Sequence, residues 1–589
     1  MKTRLMAAWM MGCALAAGQE PKAPQKPSAP AKAKVSKAKP AVAPAPDKKI
    51  TAPEKTPDVE AAIPDAVKAL GKPAMVNFPN GIRMAVTATT ESAQAHVNQG
   101  MNHLHGGWEF EASRHFAAAM REDPECLLAH WGMVMSLLSP SPETGPARNA
   151  ATDRLLDLID RGVGTELERG YVYGLIKYIE EGPNGAAVAF HKIADQFPND
   201  LQAGIFAALF GRSGYDELGS ATPSQEEAEK SLLAMIEKNP QSPLPLNALL
   251  TIRAEAPDLT PSVDLARKLC QLAPDYPPYF HLLGHYEWRS GQHGKAASAF
   301  GRASSFYTSW MKDQKATVAD CPEWVKAECY RIVAITSKGD FDTAYAAARQ
   351  VAATPFAKTR IASSGVRLLL WEAKTLPARI LLHRGLRGNA NEALHSLPEP
   401  EEIKATREKS LAYWWIDALR LALEAQRLID EGKITEAKDV LSAITHHGEA
   451  MSKTQGAAIA SGERSAWNRA FRANEVLASD LRGRLALAGP KDRQGTAYNW
   501  FASATDRQRP APMMFPPMIL TPMAIRLGEY YLSTDKPADA IEAYNRALAS
   551  FPNDMNALVG LKHAYDLAKL PADAAGTEKK IESLRAQSQ

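Results

Sequence analysis

Four residues near the middle of the chain have the types and the spacing of a binding surface. His281 and His285 are four residues apart, so on a helix they lie one turn apart and face the same way. Trp288 and Arg289 follow in the same predicted helix, and both residue types are favoured at the energetic centres of protein interfaces. The set predicts either a surface that binds a peptide or protein, or packing between neighbouring helices.

The sequence lacks the motifs that carry common catalytic chemistry. It contains no GxSxG elbow, no phosphate-binding P-loop and no HExxH pair. His103 and His105 stand two residues apart and would point in different directions on a helix, so we predict no metal and no cofactor. The five cysteines form no CxxC pair, which favours buried free thiols. A disulfide between Cys321 and Cys329 is the alternative.

Small and aromatic residues recur along the chain at fixed offsets. In residues 521–554, Gly528 is followed by Ala540, Tyr544, Ala547 and Pro552 at offsets of 12, 16, 19 and 24. The same register is carried by Gly100, Ala112, Phe116, Ala119 and Pro124, by Gly174, Ala186, Phe190 and Pro198, and by Gly284, Ala296, Phe300 and Ala303. This is the register of the 34-residue tetratricopeptide repeat, whose two antiparallel helices pack through small residues around an aromatic side chain.

The predicted fold is therefore all-α, an α-solenoid of tetratricopeptide-type helical hairpins. We expect an N-terminal repeat array over residues 75–400 and less regular helical hairpins over 401–506. A proline-rich connector over 507–522 and a C-terminal repeat with capping helices over 521–589 follow. In this register, His281, His285, Trp288 and Arg289 occupy positions on a first helix that resemble those lining the concave groove of tetratricopeptide proteins.

The amino terminus has the pattern of an export signal. Residues 1–18 begin with two basic side chains, continue with a short apolar run and offer an A-x-A cleavage site. The tetrapeptide that ends in Cys13 also resembles a lipoprotein lipobox, so soluble export and attachment to a membrane through a lipid on Cys13 both remain open. Residues 19–74 are predicted to be a disordered linker, because Pro, Ala and Lys dominate their first two thirds.

The positive charge of the chain belongs to its N-terminal segment. Residues 1–58 carry eleven Lys or Arg against four Asp or Glu, which is a net +7, whereas the whole chain is only +3. The remaining residues are therefore net negative, at −4. A negative body without a basic stripe argues against binding of nucleic acid.

Two blocks resemble a group of large exported bacterial tetratricopeptide proteins of undefined activity. The first is carried by Gln94, Gln99, Gly100, Glu111, Ala112, Phe116, Asp123, Pro124, Cys126, Trp131 and Gly132, and it departs from the pattern at His96 and Met101. The second is carried by Phe515, Pro516, Pro517, Pro522, Leu527, Gly528, Glu529, Ala538, Asp539 and Ala540. The resemblance implies the fold and a location in the bacterial periplasm or cell envelope, and it implies no reaction.

These observations together predict a non-catalytic scaffold of the bacterial cell envelope that binds a peptide or protein segment in its concave face. One alternative is a glycan-active enzyme of the (α/α) type, since Trp371, Trp414 and Trp415 could stack on sugars. Against it, such barrels lack the glycine, alanine, aromatic, alanine, proline register. The other alternative is a self-assembling structural protein. The sequence does not define an oligomeric state.

Overall fold

The computed structural model describes residues 58–139, 141–216, 219–386, 388–509 and 512–586. The predicted export signal, Cys13 and residues 19–57 of the predicted linker lie outside the described residues. Within the described ranges, helices follow one another through short turns, and the only strand-like contact is one bridge between Tyr215 and Ala221. The predicted all-α architecture of helical hairpins is confirmed.

The helices are numbered here in chain order. Those before residue 354 are α1 (Asp65–Lys68), α2 (Glu91–His105), α3 (Glu109–Glu122), α4 (Leu127–Ser136), α5 (Gly145–Asp160), α6 (Glu166–Glu181), α7 (Pro183–Gln196), α8 (Leu201–Gly211), α9 (Pro223–Lys238), α10 (Pro243–Arg253), α11 (Val263–Leu272), α12 (Pro277–Arg289), α13 (His293–Gln314), α14 (Pro322–Ser337) and α15 (Phe341–Ala352). Consecutive helices pack against each other along this stretch, as expected for a stacked array.

The second part of the chain has shorter and less regular helices before the array resumes. They are α16 (Ser364–Trp371), α17 (Leu376–Arg384), α18 (Asn389–Ser396), α19 (Pro400–Lys404), α20 (Ala412–Asp430), α21 (Ile434–Ser452), α22 (Gln455–Ser461), α23 (Arg464–Ala488), α24 (Ala497–Arg507), α25 (Ala524–Ser533), α26 (Pro537–Ser550), α27 (Met555–Leu567) and α28 (Pro571–Ala586). Single 3₁₀ turns lie at Glu60–Ala62, Thr260–Ser262, Val318–Asp320, Lys358–Arg360, Ala373–Thr375 and Lys491–Thr496.

The repeat register has a direct steric cause. The ring of Phe116 on α3 lies between Gly100 on α2 and Gly132 on α4, and a Cβ atom on these glycines would stand 2.7 and 2.2 Å from it. Tyr544 on α26 has the same relation to Gly528 and Gly560, with distances of 2.6 and 2.3 Å. One aromatic side chain thus joins a hairpin to the first helix of the next, and only glycine leaves room for it.

The folded body begins earlier than the sequence predicts. Disorder is expected through residue 74, but the structure is ordered into helical turns from residue 59 onward. Val59 and Ile63 are buried against the first repeats, and both carboxylate oxygens of Glu60 accept hydrogen bonds from Arg121, at 2.7 and 3.0 Å. The residues after 58 carry apolar side chains at helical spacing, and the proline-rich composition before them hides that pattern.

An extended segment, residues 75–89, lies along α2 and is held there by side-chain amides. Asn102 pairs with the main chain of Ile82, accepting from its N–H at 2.8 Å and donating to its carbonyl at 3.3 Å. About two turns earlier on α2, the side chain of Gln94 donates to the carbonyl of Met84 at 2.7 Å. These amides replace the partner that an extended strand would otherwise need for its polar groups.

The C-terminal repeats fold back onto the middle of the array. Between α26 and α27, the side chain of Asn553 donates to the carbonyl of Gly291 at 3.0 Å. Next to it, Nε2 of His293 lies 2.8 Å from the carbonyl oxygen of Pro552. These contacts join residues about 260 positions apart, so the helical array closes on itself instead of ending open.

Replacing Gly132 with alanine should destabilise the protein, because the added Cβ would overlap the buried ring of Phe116. We expect a loss of about 1–3 kcal/mol in the free energy of unfolding, measured by urea denaturation followed by circular dichroism. The control is Gly576→Ala, since Gly576 lies exposed in α28 with no atom near the position of a new Cβ. That variant should be as stable as the parent or slightly more stable. Equal effects of the two substitutions would contradict the steric account.

Candidate functional site

The four residues singled out from the sequence share one helix, α12, but they do not line an open surface. Their exposed fractions are 8% for His281, 0% for His285, 2% for Trp288 and 7% for Arg289. The structure therefore differs from the expectation of an accessible groove at these positions. The physical reason is that other segments of the same chain cover the inner side of α12.

Two of the four residues bind main-chain carbonyls that directly follow the C-terminal end of α10. Nε2 of His285 lies 3.0 Å from the carbonyl oxygen of Ala254, and Arg289 donates to the carbonyl of Ala256 at 3.1 Å. Carbonyls at a helix end lack partners within the helix, and these side chains supply them. Trp288 packs edge-on against Phe551 of the C-terminal repeats. These positions therefore fit the packing alternative.

His281 instead faces the predicted connector. Residues 512–522, which we call the connector, lead toward α25 and lie against α12, α14, α17 and α23. We call the surface that these helices present to it the connector groove. Nε2 of His281 lies 3.1 Å from the carbonyl oxygen of Met513, so this nitrogen carries the proton. The N–H of Met513 donates to the carboxylate of Glu255 at 3.1 Å.

Tyr330 on α14 fixes the turn of the connector. Its hydroxyl donates to the carbonyl of Phe515 at 2.8 Å and also contacts the carbonyl of Pro512. The phenol ring is buried and stacks on Phe300, the aromatic residue of the repeat register in the hairpin of α12 and α13, with 4.9 Å between ring centres. The repeat core therefore positions the hydroxyl that binds the connector.

Two arginines hold the next two carbonyls. Arg469 on α23 donates to the carbonyl of Pro516 at 2.8 Å, and Arg379 on α17 donates to that of Pro517. The buried carboxylate of Glu372 accepts from both side chains, at 2.8 Å from Arg469 and 3.2 Å from Arg379. A buried charge needs a partner of opposite sign, and Glu372 fulfils this for both arginines while fixing their direction.

The ring of Phe515 completes the contacts of the connector. It lies beneath the guanidinium of Arg469, with 4.6 Å from that group to the ring centre, and the ammonium of Lys326 is 5.8 Å from the same centre. Cations at these distances are attracted by the face of an aromatic ring. The groove therefore binds one aromatic side chain and several main-chain carbonyls.

Sequence reasoning found one residue of the groove, His281, and missed Tyr330, Arg379, Arg469 and Glu372. A signal for Arg379 was present, since it stands in the otherwise apolar stretch LPARILLH of α17. A charge in such a stretch implies a buried partner. Its ion-pair partner, Glu372, lies seven residues earlier, but the carbonyl that it binds, that of Pro517, lies 138 positions further on, and no local pattern reveals that distance.

The remaining predicted positions can be reported briefly. His103 and His105 point to different neighbours, as expected: His103 stacks on His115 and His105 packs on Phe206. In the part of the chain that the structure describes, no group of three potential ligand residues is placed to hold a metal ion. Cys321 and Cys329 are free and buried, which confirms the thiol prediction. None of the described helices is both long enough and apolar enough to cross a membrane.

The architecture defines the class of protein, a tetratricopeptide-like helical repeat protein. No protein-family model matches the sequence, and no curated protein matches it. Solved structures that it resembles include the human IFIT1 dimer with m7Gppp-AAAA, at TM-score 0.33 and 13% identity over 85% of this chain and 92% of that one. Another is the TPR domain of P58(IPK), at TM-score 0.20 and 15% identity over 81% of this chain and 98% of that one.

A third is the structure of Naa15/Naa10 bound to HypK-THB, at TM-score 0.21 and 13% identity, covering 84% of this chain and 94% of that one. All three identities are low and all three TM-scores are far below those of closely superimposable folds. The class therefore rests on the helices and on the glycine–aromatic contacts of this chain, and the likeness carries no argument about function.

Replacing Tyr330 with phenylalanine should weaken the attachment of the connector, since the carbonyl of Phe515 loses the hydroxyl proton that it accepts. We expect the free energy of unfolding to fall by about 1–3 kcal/mol, measured by urea denaturation. The control is Tyr173→Phe, because Tyr173 is 49% exposed on α6. A change below about 0.5 kcal/mol for Tyr330→Phe, similar to that of the control, would show that the hydroxyl contributes little.

Acid should destabilise the protein, because many of its histidines are buried without charge. Burial lowers the pKa of His281 to about 4 and that of His285 to about 3, with similar effects at His103, His105, His130 and His293. An unfolded chain protonates these groups near pH 6.5. Below that pH the unfolded state binds more protons than the folded state, so stability is full above about pH 6.5 and is lost as the pH falls toward the folded pKa values.

Urea denaturation at pH 7, 6 and 5 checks this expectation. Each buried histidine should contribute a loss of up to about 1.4 kcal/mol per pH unit below about pH 6.5. His285→Gln should make the pH dependence shallower by about one such contribution. His191→Gln is the matched control, since the His191 side chain is 70% exposed, and it should leave the slope unchanged. An unaltered slope in His285→Gln would contradict the assignment.

Proposed function

We propose that this protein is a non-catalytic scaffold that binds an extended segment of a partner protein on its concave face. The observation that carries the proposal is the connector groove itself. Side chains of α12, α14, α17 and α23 contact five main-chain carbonyls of a proline-rich segment that turns at residues 513–515, here supplied by the chain itself. A surface that binds main-chain carbonyls has the chemistry to hold a peptide from another protein.

The way in which the groove is built favours binding over catalysis. Its polar groups are held by the repeat core and by Glu372, so they need little reordering when a peptide arrives. A preordered surface avoids part of the entropy cost of association. The amide side chains on α2 also bind main-chain groups, those of residues 75–89, so a second segment of this chain is held in the same manner.

Two of the three tryptophans that suggested a glycan-active enzyme are buried. Trp371 and Trp415 are 1% and 0% exposed, and their ring nitrogens donate to Glu463 at 2.9 Å and to Thr375 at 3.1 Å. Neither ring is available to stack on a sugar. Trp414 is partly buried and contacts His447. A scaffold is therefore the function that we propose.

The proposal also includes a location. Residues 1–18 have the pattern of a bacterial export signal, and we propose the periplasm or cell envelope as the place where the scaffold works, with a lipid on Cys13 as one possible mode of attachment. The partner is a protein or peptide. The sequence of the signal supports this location.

Freeing the groove should create a peptide-binding protein. In the test variant, residues 512–517 are replaced by the same number of alternating glycine and serine residues. Residues 518–522, which include the buried side chains of Met518, Leu520 and Thr521, are left unchanged. A panel of labelled peptides of varied sequence, including a copy of residues 509–522, is then titrated into the parent and the variant, and binding is followed by fluorescence anisotropy. We expect the variant to bind members of the panel at least tenfold more tightly than the parent does.

Two arginines on the same helix provide the control. Arg469→Met in the freed variant should weaken peptide binding, because Arg469 contacts the groove occupant. Arg472→Met should not, because Arg472 lies exposed on the same helix. If the freed variant keeps its helical circular dichroism and binds no peptide of any sequence, the proposed function is wrong.

A further inference from the structure

The connector shows which chemical features the groove selects. Of its main-chain groups, the carbonyls of residues 513, 515, 516 and 517 receive bonds from side chains of the groove, and the carbonyl of Pro512 contacts the same Tyr330 hydroxyl that donates to Phe515. One connector N–H, that of Met513, finds its acceptor outside these helices, in the carboxylate of Glu255 in the loop after α10. A groove lined in this way by donors suits a segment that offers carbonyls and few N–H groups.

Two adjacent prolines meet that requirement at the deepest part of the contact. Pro516 and Pro517 are buried, and neither has an N–H group. Any other residue at these positions would bring a buried donor that needs an acceptor of its own. Proline also holds the chain extended before binding, with its carbonyls directed outward, as in recognised proline-rich segments.

The residue before the prolines, Phe515, is selected by the attraction between its aromatic ring and two cationic side chains. The ring centre of Phe515 lies 4.6 Å from the Arg469 guanidinium and 5.8 Å from the Lys326 ammonium. An aliphatic side chain could occupy this place but would lack the negative ring face that attracts both cations. Arg469 also bonds the carbonyl of Pro516, so one side chain links recognition of the aromatic ring to recognition of the first proline.

We propose that the partner segment carries an aromatic residue followed by two prolines in an extended conformation, and that residues 515–517 are a resident competitor for it. This inference rests on the proposed function and names the partner of the same groove. The resident segment is tethered, so its effective concentration is on the order of millimolar. If it fills the groove in about 99% of molecules, the apparent affinity for a partner falls about 100-fold. Binding thus depends on release of the connector.

Peptides that differ at single positions test the selection. They copy residues 509–522, and they carry Leu or Trp in place of Phe515, or Ala in place of Pro516 and Pro517. Binding to the variant with the glycine–serine replacement is measured by fluorescence anisotropy. We expect the Leu peptide and the double Ala peptide each to bind about tenfold more weakly, and the Trp peptide to bind at least as well as the parent peptide. Arg469→Met should remove most of the difference between the Phe and Leu peptides.

The outcomes separate this inference from the proposed function. Binding of peptides with no preference for the aromatic residue or the prolines would overturn the inference and leave the scaffold function standing. Binding of no peptide by a folded variant would overturn both.

A second measurement uses the unaltered chain, in case the replacement prevents folding. Hydrogen exchange of the amides of residues 513–515 is compared with and without an excess of the parent peptide. We expect the peptide to raise their exchange rates several-fold as it displaces the connector, and the double Ala peptide to have no effect. Unchanged exchange at a peptide concentration of several millimolar would show that the connector is a permanent structural part of the groove, and the inference would fail.

Discussion

A segment that contains four prolines in eleven residues can satisfy few of its own main-chain carbonyls, and this constraint organises the interior of the protein. Proline removes the N–H groups that would form a helix or a ladder, so the donors must come from other elements. They come from four helices that are far apart in sequence: His281, Tyr330, Arg379 and Arg469 each bind the connector. The helices in the middle of the array thus pack around the connector, a proline-rich segment of the same chain.

The repeats themselves depend on a simpler contact, an aromatic ring between two glycines. This contact is local in sequence and has a fixed spacing, which is why the fold class could be predicted from the positions of Gly100, Phe116, Gly528 and Tyr544. The prediction worked because sterics at these positions leave little choice.

The site was harder to predict for a physical reason. The sequence predicted that four residues of α12 line a groove, but a helix pattern cannot say whether the space beside a helix is open or filled. The space beside α12 is filled by a segment more than 180 residues away in the sequence: Met513 contacts His281, and Phe515 contacts Tyr330. The predicted N-terminal boundary of the folded body was wrong for a different reason. The Pro, Ala and Lys composition of the preceding residues obscured a short apolar pattern that begins at Val59.

The return of the C-terminal repeats to Gly291 and His293 changes how the array should behave as a polymer. An open solenoid folds by adding neighbours, and each unit depends only on the next. Here a ring is closed by contacts across about 260 residues, whose loop entropy must be overcome before those contacts form. Such a chain is expected to fold its C-terminal repeats late and slowly, and then to unfold as one cooperative unit instead of fraying from its carboxyl end.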